Sequence, residues 1–111
     1  MNEKQYRLCV LEAMNYDDQD AYVSDLVLSS IWGDSPDAEI PDDRIRQISS
    51  VYTALHRSVK QIASASGMSQ RKLAERFFIP YRTMEDWCSG KSKCPVYIRL
   101  MMQECLGLLS L

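Results

Sequence analysis

The sequence predicts an all-α protein, and three observations carry that prediction. Apolar residues recur at helical spacing almost throughout the chain. Gly and Pro number four each in 111 residues, too few for an all-β chain built on many tight turns. Helix-starting residues stand ahead of most of the periodic stretches. At 46% apolar and 25% charged, the composition is that of one ordinary folded domain with at most an added arm. It excludes a mostly disordered chain, a collagen and a coiled-coil rod.

A first helix is expected over roughly Glu3 to Met14, with Tyr6, Val10, Ala13 and Met14 on one stripe and Cys9 beside it. The acidic run Asp17-Asp18-Gln19-Asp20 suits the start of a second helix. That helix runs to about Trp32, with Val23, Leu26, Val27, Ser30 and Ile31 at helical spacing and Gly33 as its C-cap. The stretch from Gly33 to Asp43 holds two Pro and five acids and reads as a loop. It sets an expected boundary between an acidic N-terminal helical extension, residues 1–40, and a second domain, residues 41–111. A third helix begins near Pro41-Asp42-Asp43, where carboxylates favour a helix N-terminus, and carries Ile45, Ile48, Val51, Tyr52 and Leu55.

The later elements have sharper local signals. Ser58-x-x-Gln61 is a capping box, so a helix starts at Val59 and stops at Gly67. Ser69 caps the next, Gln70 to Phe77, which turns Leu73, Ala74 and Phe77 inward. Pro80 opens a helix to Ser89 that buries Met84 and Trp87 and is ended by Gly90. Lys91-Ser92-Lys93 forms a basic loop, and Pro95 opens a last helix with a wide apolar face. Two short helices, a brief turn and a small Ala74 at their crossing make a helix-turn-helix pattern. Tyr81, Arg82, Thr83, Glu85 and Asp86 are left at least partly exposed, where they can face a major groove.

Charge is divided along the chain. Residues 1–56 hold four Lys/Arg against eleven Asp/Glu; residues 57–111 hold nine against four. The net charge of −2 hides that asymmetry. A basic half fits a polyanion, and an acidic half fits a protein partner or plain solubility.

Other chemistries find little support. One His, no phosphate-cradling Gly-rich loop and no metal-ligand spacing argue against an enzyme and against a cofactor. Ser69-x-x-Lys72 spells a serine-hydrolase motif, but without companion motifs capping explains Ser69 better. A zinc set of Cys88, Cys94, Cys105 and His56 lacks any C-x-x-C or paired His. Cys9 and Cys105 fall on apolar stripes, where a thiol acts as a small hydrophobe. No apolar run nears the roughly 20 residues of a membrane span. The N-terminus lacks a secretory layout. A cytoplasmic protein with reduced cysteines is expected.

Val59 to Leu109 resembles the Cro/C1-type (XRE-like) helix-turn-helix family. The matching runs are Ser66-Gly67-Met68-Ser69-Gln70, Leu73-Ala74-Glu75-Arg76-Phe77, Ile79 through Trp87, Ser89-Gly90-Lys91 and Pro95. The segment is similar to small regulators of phages and mobile elements. The family often has Gly where this chain has Phe78, and Glu where it has Cys88.

The resemblance implies a Cro/C1-type helix-turn-helix bundle, a sequence-specific DNA-binding transcription regulator acting as a repressor or auto-regulator, and double-stranded DNA as partner. It implies that Gln70 touches the DNA backbone or an outer base. Tyr81, Arg82, Thr83 and Glu85 would form the reading face, with Lys91 and Lys93 on phosphates. Arg71 and Lys72, at a helix start, also suit phosphate. Arg82 suits a guanine edge, or else a surface ion pair with Glu85 or Asp86. The apolar surplus of the last helix suits a homodimer. The competing expectation is a protein-binding module, an antitoxin, an anti-repressor or an accessory factor of a mobile element, that keeps the fold and uses its acidic N-terminal half.

Overall fold

The computed structural model describes residues 1–34 and 39–109. Part of the expected loop, residues 35–38, and the final two positions of the expected second domain lie outside the described residues. Among the described residues all regular structure is helical, with no strand. The helices are α1 (Glu3–Ala13), α2 (Gln19–Val27), α3 (Asp42–His56), α4 (Val59–Ser66), α5 (Gln70–Arg76), α6 (Tyr81–Ser89) and α7 (Val96–Cys105). A 3-10 turn, Ser30–Trp32, follows α2. No helix among the described residues is long and apolar enough to cross a membrane.

The chain forms two compact units, residues 1–55 and residues 56–109. The division falls at the end of α3, not at residue 40 where the composition changes. The expected second domain of five helices therefore contains four, because α3 packs in the first unit. Its inward face of Ile48, Val51, Tyr52 and Leu55 is buried as the spacing predicts, while Ile45 stands half-exposed.

In the first unit Asn2 and Gln5 cap α1 reciprocally. The buried residues of α1 are Cys9 and Ala13; Met14, expected on that stripe, is exposed. Helix α2 stops at Val27, five residues before the expected end, and the chain tightens into the 3-10 turn closed by Gly33 at φ +68°. Tyr22, rather than Val23, is the fully buried residue of α2. Its hydroxyl donates to the Cys9 carbonyl at 2.9 Å, and its ring packs edge-on to Tyr16 and tilted against Tyr52. Burial raises the Tyr22 pKa well above its ordinary value, so the phenol stays a donor. Arg44 is buried under the guanidinium–ring stack it makes with Trp32, 4.6 Å from the ring centroid, and it ion-pairs with Asp34.

The second unit is built on local signals that the chain obeys closely. Ser58 and Gln61 make the capping box of α4, and Ser69 accepts from the Lys72 N–H at 3.1 Å to cap α5. Pro80 and Pro95 sit at the N-caps of α6 and α7. The core gathers Val59, Ile62, Ala63, Leu73, Ala74, Met84, Cys94 and Met102. Trp87, expected fully inward, is half-buried at the edge of this core. Gln103, with no exposure, is satisfied at both ends of its amide. Its oxygen accepts from Arg57 at 3.1 Å and its nitrogen donates to the Arg99 carbonyl at 3.2 Å. Arg99 in turn donates to the Arg57 carbonyl at 2.8 Å.

Three helices of this unit end in one motif. After α4 the Met68 N–H reaches the Ala63 carbonyl and the Gly67 N–H reaches Ser64. After α7 Leu108 reaches Gln103 and Gly107 reaches Glu104. After α5 Ile79 reaches Ala74 at 2.8 Å and Phe78 reaches Glu75 at 3.4 Å. This Schellman closure requires a left-handed residue at its second-last position. Gly67 and Gly107 fill that position at φ +71° and +70°; after α5 it is Phe78, at φ +56°. Phe78 is the only non-Gly residue with positive φ among the described residues, and its side chain is 93% exposed.

Candidate nucleic-acid interface

The second unit carries nine Lys/Arg against four Asp/Glu, a clear excess of positive charge. The caps described above place the polar residues of this surface. Because Ser69 closes the start of α5, Gln70, Arg71 and Lys72 occupy its first turn. Because Pro80 opens α6, Tyr81 and Arg82 occupy the first turn there.

The two helix starts meet. The Arg71 guanidinium lies over the Tyr81 ring, 4.2 Å from its centroid. Arg71 and Tyr81, with Gln70, Ser69, Ser64 and Lys60, line one open groove. Tyr81 is half-buried, so its ring belongs to the packing of the turn as well as to the surface.

Along α6, Met84 is fully buried, and Arg82 lies about 160° round the helix from it at 100° per residue. Arg82 and Glu85 therefore form the outward face, both exposed, with Thr83 and Asp86 half-buried on its flank. Arg82 Nε is 3.9 Å from Asp86 Oδ1 while its side chain is 79% exposed. That pair is long and solvated and leaves the guanidinium available. Lys91 and Lys93 are exposed just past α6. Their loop is held to the helix by the Ser92 N–H, which donates to the Asp86 carbonyl at 3.2 Å, after Gly90 reverses the chain at φ +83°.

Of the eight residues expected from sequence, Gln70, Arg71 and Tyr81 thus share a groove. Arg82 and Glu85 share the outer face of α6, Thr83 lies at its edge, and Lys91 and Lys93 stand beyond its C-terminal end. Two residues were not expected. Lys60, exposed on α4, joins the groove across from Arg71. Its only sequence signal is a basic residue two positions after a capping Ser. Phe78 lines a neighbouring depression with Arg71, Glu75, Ile79 and Tyr81. Its signal was the missing Gly.

A second surface is apolar. Phe77, Ile79, Trp87, Ile98, Met101 and Met102 line a cleft of about 270 Å³. At α7, Tyr97 and Met101 are 66% and 62% exposed.

All four cysteines are free thiols. Cys9 and Cys94 are buried and Cys88 is half-buried, while Cys105, expected on an apolar stripe, lines the apolar cleft but is exposed. The turn that α7 makes over the core seats Met102 rather than Cys105 against it. Burial pushes the Cys94 thiol up to about 11 and also raises Cys9 and Cys88. Among the described residues no three His, Cys, Asp or Glu side chains come together as a metal set.

Comparison of the chain with models of protein families, with curated proteins and with solved structures finds no match.

Proposed function

We propose that the second unit is a helix-turn-helix DNA-reading domain of the Cro/C1 type and that the protein is a sequence-specific transcription regulator. The observation that carries this reading is the outer face of α6. Arg82 and Glu85 project from it, and the stacked pair Arg71–Tyr81 sits at its N-terminal end. In this reading α6 enters the major groove, with Arg82 bidentate to a guanine and Glu85 accepting from a cytosine amine. Gln70, Arg71, Lys60, Lys91 and Lys93 neutralise phosphates on either side. Thr83 and Tyr81 bound the reading face. A homodimer joined through Tyr97 and Met101 would present two such helices to successive major grooves.

The test is selection of bound sequences from random duplex DNA, followed by affinity measurements at two salt concentrations. The expected result is an enriched site whose binding weakens as salt rises. Arg82→Ala should weaken that site by about 1–3 kcal/mol and relax one base position. Lys91→Ala should weaken all DNA evenly and lower the salt slope by about one. Failure to enrich any sequence would remove this reading.

A second reading, a protein-binding module, is favoured by the excess of acid in residues 1–55 and by Glu85 and Asp86 on α6. It predicts no salt-sensitive DNA binding and no effect of Arg82→Ala on DNA.

A further inference from the structure

Phe78 combines three properties that seldom coincide. It sits in the left-handed region at φ +56°, where an L side chain other than Gly, Asn or Asp is rare. Its side chain is 93% exposed, so no packing within the chain offsets that strain. The same closure is made with Gly at the ends of α4 and α7, so the motif itself has no need of an aromatic ring. Strain kept at an exposed position points outward, to something the side chain meets in a complex.

The surroundings indicate what it meets. Phe78 lines one depression with Arg71 and Tyr81, the pair at the N-terminal end of α6, and with Ala74, Glu75 and Ile79. Glu75, exposed in that depression, offsets the charge of Arg71 beside it, so the depression itself offers no net attraction to a phosphate placed directly over it. An apolar group on the DNA suits the ring better. The edge of a base pair offers one such group in the major groove, the C5-methyl of thymine.

We propose that Phe78 is a specificity-determining residue that packs on a thymine methyl beside the bases read by α6. This inference rests on the DNA-reading proposal above. It makes Phe78 a contact residue whose left-handed placement brings the ring to the duplex edge.

The experiment uses the full chain and its selected DNA site, made with thymine or with uracil at each thymine position in turn. Loss of one buried methyl should weaken wild-type binding about four-fold at one position. Phe78→Gly should bind the thymine site less tightly than wild type and make no distinction between thymine and uracil. Phe78→Leu should restore part of the distinction. Meanwhile the Gly variant should unfold at higher temperature than wild type, which a misfolded variant would not do. Two results overturn the inference alone: equal binding by Phe78→Gly and wild type, or a thymine preference that survives in Phe78→Gly. Absence of any selected site overturns the inference together with the reading beneath it.

Discussion

The guanidinium of Arg71, on the first turn of α5, lies over the ring of Tyr81, on the first turn of α6, with its carbon 4.2 Å from the ring centroid. Two helix starts that are ten residues apart in sequence are thereby joined at the edge of the core. Such a stack contributes about 0.5–1 kcal/mol at an exposed site. Arg71→Ala should lower the unfolding free energy of the second unit by that amount in a urea titration. Tyr81→Phe, which keeps the ring, should leave it unchanged.

The left-handed Phe78 gives a prediction of the opposite sign. A non-Gly residue there costs about 1 kcal/mol relative to Gly, even after the extra freedom Gly has in the unfolded chain. Phe78→Gly should therefore raise the thermal midpoint of the second unit by about 5 °C in calorimetry. A fall would mean that the ring is packed in solution.

The thiols should separate by reaction rate. Cys105 is exposed, whereas Cys9 and Cys94 are buried and their thiols are held above the ordinary range by desolvation. The thiolate is the reacting form, so burial slows both access and ionisation. With an aromatic disulfide reagent at pH 8, one thiol should react at once and Cys88 more slowly. Cys9 and Cys94 should react only as fast as the protein opens. Cys105→Ser should abolish the fast phase.

Acid should weaken the first unit through Asp34. The hydrogen bonds from Arg44, with its charge, hold the Asp34 carboxyl below its ordinary pKa despite some desolvation in the other direction. A carboxylate with a lowered folded pKa stabilises the fold above its unfolded value, near 4, and loses that contribution as pH falls through the folded value. In urea titrations from pH 7 to pH 2.5, Asp34→Asn should be the weaker protein at neutral pH. The gap to wild type should close at the acid end. A constant gap would show that the pair contributes nothing through charge.

Much of the second unit was legible because its signals act within a few residues. Ser58, Ser69, Gly67, Gly90, Pro80 and Pro95 each mark a helix end that the structure has within a residue or two. Caps and prolines work through backbone groups next to them, and no distant contact overrides them here. Long-range choices were less legible. Whether Cys94 or Cys105 is buried depends on how α7 lies on α4, and whether α3 serves the first or second core depends on Tyr22 and Tyr52 meeting. Helical periodicity marks a face without naming its neighbour. The groove followed the same rule. Gln70 and Tyr81 came from the resemblance and Arg71 from its place at a helix start, while Lys60 came from another helix and could be placed only by the fold.

The lacing of Arg57, Arg99 and Gln103 has a consequence for biosynthesis. The first core is complete once α3 has left the ribosome, so residues 1–55 can fold while the rest is being made. The second core closes last. Arg57, at its very start, finds its partners Arg99 and Gln103 only after α7 is synthesised. The helices α4, α5 and α6 can bring Leu73 and Met84 together among themselves, but Met102 and the two partners of Arg57 arrive only after more than forty further residues have been added. During that interval the face of α4 that α7 will cover stays open, so the arrival of α7 is the step that closes this unit.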